Sequence, residues 1–245
     1  MNILDVEVAK TPETHLYRHI RAEQEKLMLK YQEIEQMPDW PMAFDSKNGQ
    51  RWFKDFAQRA TEEIAEAYQS VEYASASKER DLVNKQLVHL LEEVSDAIHF
   101  MTELFIIADV PIDDSFIEDT IEQLKEKEFN DRLNRTRKYS FIGEAYRDDT
   151  PSSNPITMLS FASSSIFFDL FDVVYYVGLA TNCLKMKSWK QSEVLSDKKA
   201  FTGYCLIAFT KVLTFLFHCG FDASSIYGLY NQKNQVNQFR QRSNY

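Results

Sequence analysis

Apolar residues recur at intervals of three and four along most of this chain. Phe53, Ala57, Ala60, Ile64 and Val71 make one such stripe, and Leu87, Leu91, Val94, Ile98, Met101 and Phe105 make another. Positions so spaced share one face of a helix, whereas a half-buried strand requires strict alternation. No stretch alternates convincingly and no internal repeat is present. The pattern predicts helices over 12–36, 51–73, 80–108, 116–138, 158–188, 191–219 and 222–242. Thr11-Pro12-Glu13 is read as the opening of the first, since proline's fixed φ suits a helix's first turn. "MPDWPMAFDSKNGQ" (37–50), with two prolines and Asn48-Gly49, reads as a loop, as does "GEAYRDDTPSSNPI" (143–156). "ASASKER" and "VPIDDS" are shorter breaks. The expected fold class is all-α, a helical bundle forming a single domain over 1–245.

Composition narrows the function. A hydrophobic content of 44% in 245 residues supports a substantial core, and only 6 Gly and 6 Pro fit long helices better than many turns. The net charge of −9 excludes a general nucleic-acid binder, though a few converging basic residues can still take a phosphorylated small molecule. Cys183, Cys205 and Cys219 form no CxxC pair, so they read as reduced, buried small hydrophobes in a cytosolic protein. The first twenty residues hold no signal-peptide core. The most apolar run, 201–219, is interrupted by Lys211 and reads as a core helix, with no membrane partner expected.

Two helices carry acids at a spacing that concentrates charge. "TEEIAEAY" (61–68) places Glu63 with Glu66, and "LLEEVSDAIHF" (90–100) places Glu93 with Asp96, each pair at i, i+3. Such side chains are neighbours on a helix surface. Taken singly, each pair is most simply a solvated face. Both, however, flank the apolar stripe, so antiparallel packing brings four carboxylates into one partly desolvated groove. Their repulsion there raises a pKa unless a cation neutralises it. Mg²⁺ suits such a set, because it takes carboxylate oxygens and completes its shell with water and substrate phosphates. At the other end of the chain, Lys233, Asn237 and Arg240 fall on one side of the last helix, either a solvated face or one aimed at an anion.

Glu63-x-x-Glu66, 26 residues, then Glu93-x-x-Asp96 resembles the signature of the all-α nucleoside triphosphate pyrophosphohydrolases, the MazG-like and dimeric dUTPase superfamily. "GFDASSIYGLYNQKNQVNQFRQRSNY" (220–245) is similar to the closing motif of dimeric dUTPases and tailed-phage dCTPase/dUTPases. It keeps Tyr230, Lys233-Asn234, Asn237, Phe239-Arg240-Gln241 and Tyr245. "EVSDAIHFMTELF" (93–105) likewise resembles a family motif, with His99-Phe100 after the Asp. The match covers roughly 20–105 and 213–245, leaving 106–212 as an additional helical insertion.

The resemblance implies cleavage of a deoxynucleoside triphosphate to its monophosphate and pyrophosphate by a homodimer, with dUTP the first candidate and dCTP the second. It implies that Glu63, Glu66, Glu93 and Asp96 hold Mg²⁺, and that Glu63 directs the attacking water. It further implies that Lys233, Asn234, Asn237 and Arg240 receive the triphosphate and sugar, and that Tyr245 closes the site. Gln24, His99 and Phe100 are implied around the base, Phe100 by stacking. Here the chain departs from the pattern. The family's first-helix Asn falls at Leu27 or Met28, and no Trp follows Glu66 within a hundred residues. Gln24 also reads as an ordinary helix residue, and His99 as a packed one. Two rival readings stand beside the resemblance. Asp96-x-x-His99 with Glu93 and Glu63 is half of a di-iron carboxylate bundle, but the second acid-x-x-His pair is missing. A helical nucleotide-binding protein without turnover is the other. The aromatic run of 161–219 suits either a dimer interface or a thick monomer core.

Overall fold

The computed structural model describes residues 12, 14–139, 155–184 and 196–242, which form seven α-helices and no strand. They are α1 (Leu16–Glu35), α2 (Lys47–Ala76), α3 (Arg80–Ala108), α4 (Phe116–Tyr139), α5 (Pro155–Cys183), α6 (Lys198–His218) and α7 (Ala223–Arg242). The all-α expectation holds. Helix ends differ from expectation where capping outweighs local residue preference. Asn48-Gly49 is not a turn but the first turn of α2, because Ser46 caps that helix, its Oγ accepting from Gly49 N–H at 2.9 Å. Glycine is required at 49, where a Cβ would lie 2.7 Å from the Ala43 carbonyl and 2.8 Å from Ser46 Oγ. Helix α1 starts at Leu16 rather than near Pro12, and its Leu16 N–H is satisfied by Glu118 Oε1 of α4 at 2.9 Å. Asp197 caps α6 through Ala200 N–H at 2.9 Å, so that helix begins later than the apolar pattern alone indicates. The break expected at 143–156 falls almost wholly outside the described residues.

Helices α2 and α3, joined by three residues, pack against each other along their length, and α5 and α6 form a second pair. Helices α1 and α7 lie on α3, while α5 contacts α2. The two apolar stripes read from the sequence meet in the core, where Phe53, Ala57, Ala60, Ile64, Val94, Ile98, Met101 and Phe105 are all buried. Phe209 of α6 ties the layers together, its ring meeting Tyr17 at 6.0 Å, Phe105 at 5.5 Å and Phe116 at 5.8 Å. Each fully buried Phe contributes about 1.5–3 kcal/mol through removal of apolar surface from water. Helix α6 is, among the described residues, the one helix long and apolar enough to cross a membrane. Eight of its residues, including Phe201, Phe209 and Phe215, are buried in this core. The arrangement lays α7 against α1 and against α3, the helix that also packs along α2.

Candidate active site

Glu63 and Glu66 project from α2 and Glu93 from α3 so that one carboxylate oxygen of each lies within 4.8 Å of the others. The i, i+3 spacing sets the first two side by side, and the tight α2–α3 packing brings Glu93 across. Burial, a hydrogen bond with Glu93 and the charges of Asp96, Glu93 and Glu66 push Glu63 up to about 8. Glu63 is thus the proton-bearing member of the cluster near neutral pH. His89, one turn before Glu93, places Nδ1 2.7 Å from Glu93 Oε1. Three converging carboxylates that hold a proton against their ordinary acidity have the donor chemistry of a hard divalent cation, and a cation there would relieve their repulsion. The group contains no histidine ligand, unlike a di-iron site.

Asp96 stands beside this trio with a different partner. Lys233 Nζ of α7 lies 2.6 Å from Asp96 Oδ2, with 11% and 20% of the two side chains exposed. The last helix therefore delivers a cation to the acidic groove, as its basic face suggested. An ammonium has three donors, so one bond to Asp96 leaves two for an incoming anion. Asn237, one turn on, is half-buried and Arg240 is exposed toward the end of α7. Tyr245 lies outside the described residues.

Behind the groove runs a buried polar chain. Gln24 is fully buried, its Nε2 donating to Glu103 Oε1 at 2.7 Å and its Oε1 accepting from Tyr230 O–H at 2.8 Å. Asn234, 1% exposed, donates from Nδ2 to the Tyr230 oxygen at 3.2 Å and accepts from Gln238 Nε2 at 3.2 Å. His99 stacks on Tyr230 with centroids 4.3 Å apart and donates from Nδ1 to the Ser95 carbonyl at 2.8 Å. Burial lowers His99 to about 4, so the imidazole is neutral with Nε2 unprotonated. Gln24, His99 and Asn234 are thus brought together as one interior network, whereas Phe100 is half-buried beneath the Arg59 guanidinium. Arg59 stands over the Phe56 and Phe100 rings at 5.2 and 5.9 Å, held by Glu35 at 3.0 Å and Asp55 at 2.9 Å.

Sequence reasoning missed Glu103, Arg59 and His89. Glu103 lies seven residues past Asp96, on the same face of α3, and Arg59 one turn before Glu63. Extending the acidic face by about two turns on α3 and one turn on α2 reaches both positions, though not the partners that seal them. Carboxylates that converge on one groove, with an ammonium at its edge, can bind divalent cations and phosphate oxygens together. In the comparison with protein families, a family model described as dUTPase matches residues 45–245. No curated protein and no solved structure matches the chain.

Proposed function

The chain belongs to the dUTPase family, and from that membership we propose that it hydrolyses dUTP to dUMP and pyrophosphate at the α2–α3–α7 groove in a Mg²⁺-dependent reaction, with dCTP as a second substrate. The observation that carries this is the convergence of Glu63, Glu66 and Glu93 within 4.8 Å, with Lys233 2.6 Å from the adjoining Asp96. Glu63, Glu66, Glu93 and Asp96 would hold the metal, which when bound supplies positive charge at the phosphates and acidifies water. With the cation's charge offsetting the repulsion that otherwise keeps Glu63 protonated, Glu63 would be ionised, orient the attacking water and take its proton. Lys233 turns its remaining donors to the β- and γ-phosphates, and Arg240 adds its planar fork, so charge developing on pyrophosphate meets cations already in place. Asn237 donates to the sugar or the phosphates. Phe100 offers its ring to the base. Gln24, His99 and Asn234 hold the wall behind it.

The protein acts as a cytoplasmic homodimer. Phe168, Phe171 and Tyr175 of α5 are 67%, 63% and 52% exposed on one helix face, which suits burial against a second copy. Incubating purified protein with each dNTP and NTP and MgCl₂, then separating products by chromatography, tests the reading. Expected products are dUMP with pyrophosphate, and dCMP more slowly. Release of orthophosphate, or no turnover of any triphosphate, would sink it.

A further inference from the structure

Glu103 is 3% exposed on α3, and among the described residues only half of its carboxyl group is used. Oε1 accepts from Gln24, while Oε2 is buried without a protein hydrogen-bond partner. A buried polar atom with no partner is costly and in native proteins signals an unaccounted ligand or role. Burial pushes Glu103 up to about 8 against the opposing effects of the Gln24 bond and the Arg59 charge, so near neutral pH the group is the acid. Because Oε1 already accepts the Gln24 N–H, the acid proton sits on Oε2. Oε2–H is then a donor that nothing among the described residues receives.

Its position matches one end of a nucleotide. Glu103 lies seven residues beyond Asp96 on the same face of α3, about 10 Å along the helix axis. Phe100 lies between the two on that face. Asp96 marks the phosphate end through Lys233, so Glu103 falls about one nucleoside farther along. Tyr31 and Arg59, whose charge states both respond to Glu103, line the same region from α1 and α2. Gln24 has its amide held at both ends, by Glu103 and by Tyr230, and presents no surface. Other buried side-chain atoms also lack a partner among the described residues, including His99 Nε2 and Asn231 Nδ2, but Glu103 is the one aligned with Asp96 and Phe100 along α3.

Resting on the reading of the groove as a pyrimidine nucleotide site, we propose that Glu103 is a specificity-determining residue whose Oε2–H donates to the 4-keto oxygen of the base. Gln24 and Tyr230 hold its carboxyl in register. A ring carbonyl accepts this bond, whereas the 4-amino group of cytosine brings a donor against a donor. A site built to bond one polar group rejects an analogue lacking it, because the site's own group is left unpaired.

The test measures binding, which does not depend on turnover. Titration calorimetry in MgCl₂ compares dUMP, dCMP and the 2-pyrimidinone deoxynucleoside monophosphate, which lacks the 4-oxygen. The wild-type protein is expected to bind dUMP about tenfold or more tightly than either of the others. Glu103→Gln keeps an acceptor for Gln24 and an N–H donor, so it should retain that ratio within about threefold. Glu103→Leu should bring dUMP and the 2-pyrimidinone nucleotide to within about threefold of each other. A wild-type protein that does not distinguish dUMP from the 2-pyrimidinone nucleotide overturns the assignment, whether or not the leucine variant folds. So does a folded leucine variant, judged by circular dichroism, that keeps the wild-type ratio. Hydrolysis of dUTP is assayed separately. If turnover is absent while the binding ratio and its dependence on Glu103 hold, the proposed activity fails and the Glu103 assignment stands.

Discussion

At the scale of single residues, two glutamates with raised pKa values lead to different expectations. Glu63 sits in the groove among three other acids and is proposed to take a proton from water. Glu63→Gln should lower kcat by about 10²–10⁴-fold, the range a positioned base supplies. Its melting temperature at pH 8 should not fall, because the change removes one member of a mutually repelling set. A folded Glu63→Gln protein with near-normal turnover would take that side chain out of the reaction. Glu103 is buried away from solvent, and its effect is read in stability. Its folded value of about 8 lies above the ordinary value of about 4.3 for glutamate in an unfolded chain. The folded state therefore holds the proton more tightly. The associated stability is fully present below the unfolded value and is lost as pH rises through the folded one. Wild-type stability should fall between about pH 4.5 and 8, by on the order of a few kcal/mol at most, and Glu103→Gln should flatten that fall. Chemical denaturation across this range checks it, and parallel curves for the two proteins would refute it. The convergence of Glu63, Glu66 and Glu93 was legible because i, i+3 spacing beside an apolar stripe carries its geometry, whereas the pairing of Asp96 with Lys233 was not. Glu103 was not, since no local pattern says that a glutamate amid "MTELF" is sealed against a glutamine 79 positions away.

At the scale of elements, the sequence located the helices through their stripes and misjudged ends fixed by capping contacts. Asn48-Gly49 has the composition of a turn, yet Ser46 makes it a helix start, and the missing Cβ of Gly49 is what lets the Ala43 carbonyl and Ser46 hydroxyl close in. Gly49→Ala should cost about 1–2 kcal/mol, similar to losing the cap through Ser46→Ala. Urea melts of both variants would show it, and a neutral or stabilising Gly49→Ala would mean the first turn is not held this way. Helix α7 depends on a longer-range contact. Lys233 neutralises Asp96 from within a largely buried pair, so Lys233→Met leaves an acid beside three others. Breaking such a pair one-sidedly costs about 2–4 kcal/mol, short of the full-burial range because a tenth to a fifth of each side chain is exposed. MgCl₂ should restore part of that loss in the variant and change the wild type less, since an added cation takes over the missing charge. Equal Mg²⁺ effects on the two melting temperatures would argue against a shared electrostatic site. Catalysis should not recover with stability, because magnesium restores charge to the acids without replacing the donors that Lys233 is proposed to direct at phosphate.

At the scale of the molecule, the all-α class was readable because helical periodicity is local, while the joining of α2, α3 and α7 was readable only through the resemblance of 220–245 to a closing motif. Nothing in the spacing alone says that the last helix returns to the first three. The interior network from Gln24 to Asn234 depends on that return, since Tyr230 O–H bonds the Ile20 carbonyl 210 positions earlier. The proposed association of whole chains rests on what the described residues leave uncovered. The core of α5 is well covered, with Leu170, Val173, Val177 and Ala180 buried, yet Phe168, Phe171 and Tyr175 on its outer face are each more than half exposed. Three such aromatics leave roughly 300 Å² of ring surface in water, a sizeable part of the ~800 Å² per partner typical of a stable interface. Covering that face against the same face of a second copy gives a closed two-fold arrangement, in which each ring meets apolar surface and no further copy can add. Light scattering coupled to gel filtration should accordingly give a mass of twice 28.7 kDa at micromolar concentration. Phe171→Glu should return it to the single-chain mass, because a charge cannot be buried at the centre of an apolar contact without a partner. The variant should keep its helical circular dichroism, since Phe171 makes no part of the buried core. If the wild type runs as one chain, or if Phe171→Glu leaves the doubled mass intact, the two copies do not meet through α5. A groove built wholly from α1, α2, α3 and α7 of one chain would then be expected to bind nucleotide equally well at every protein concentration.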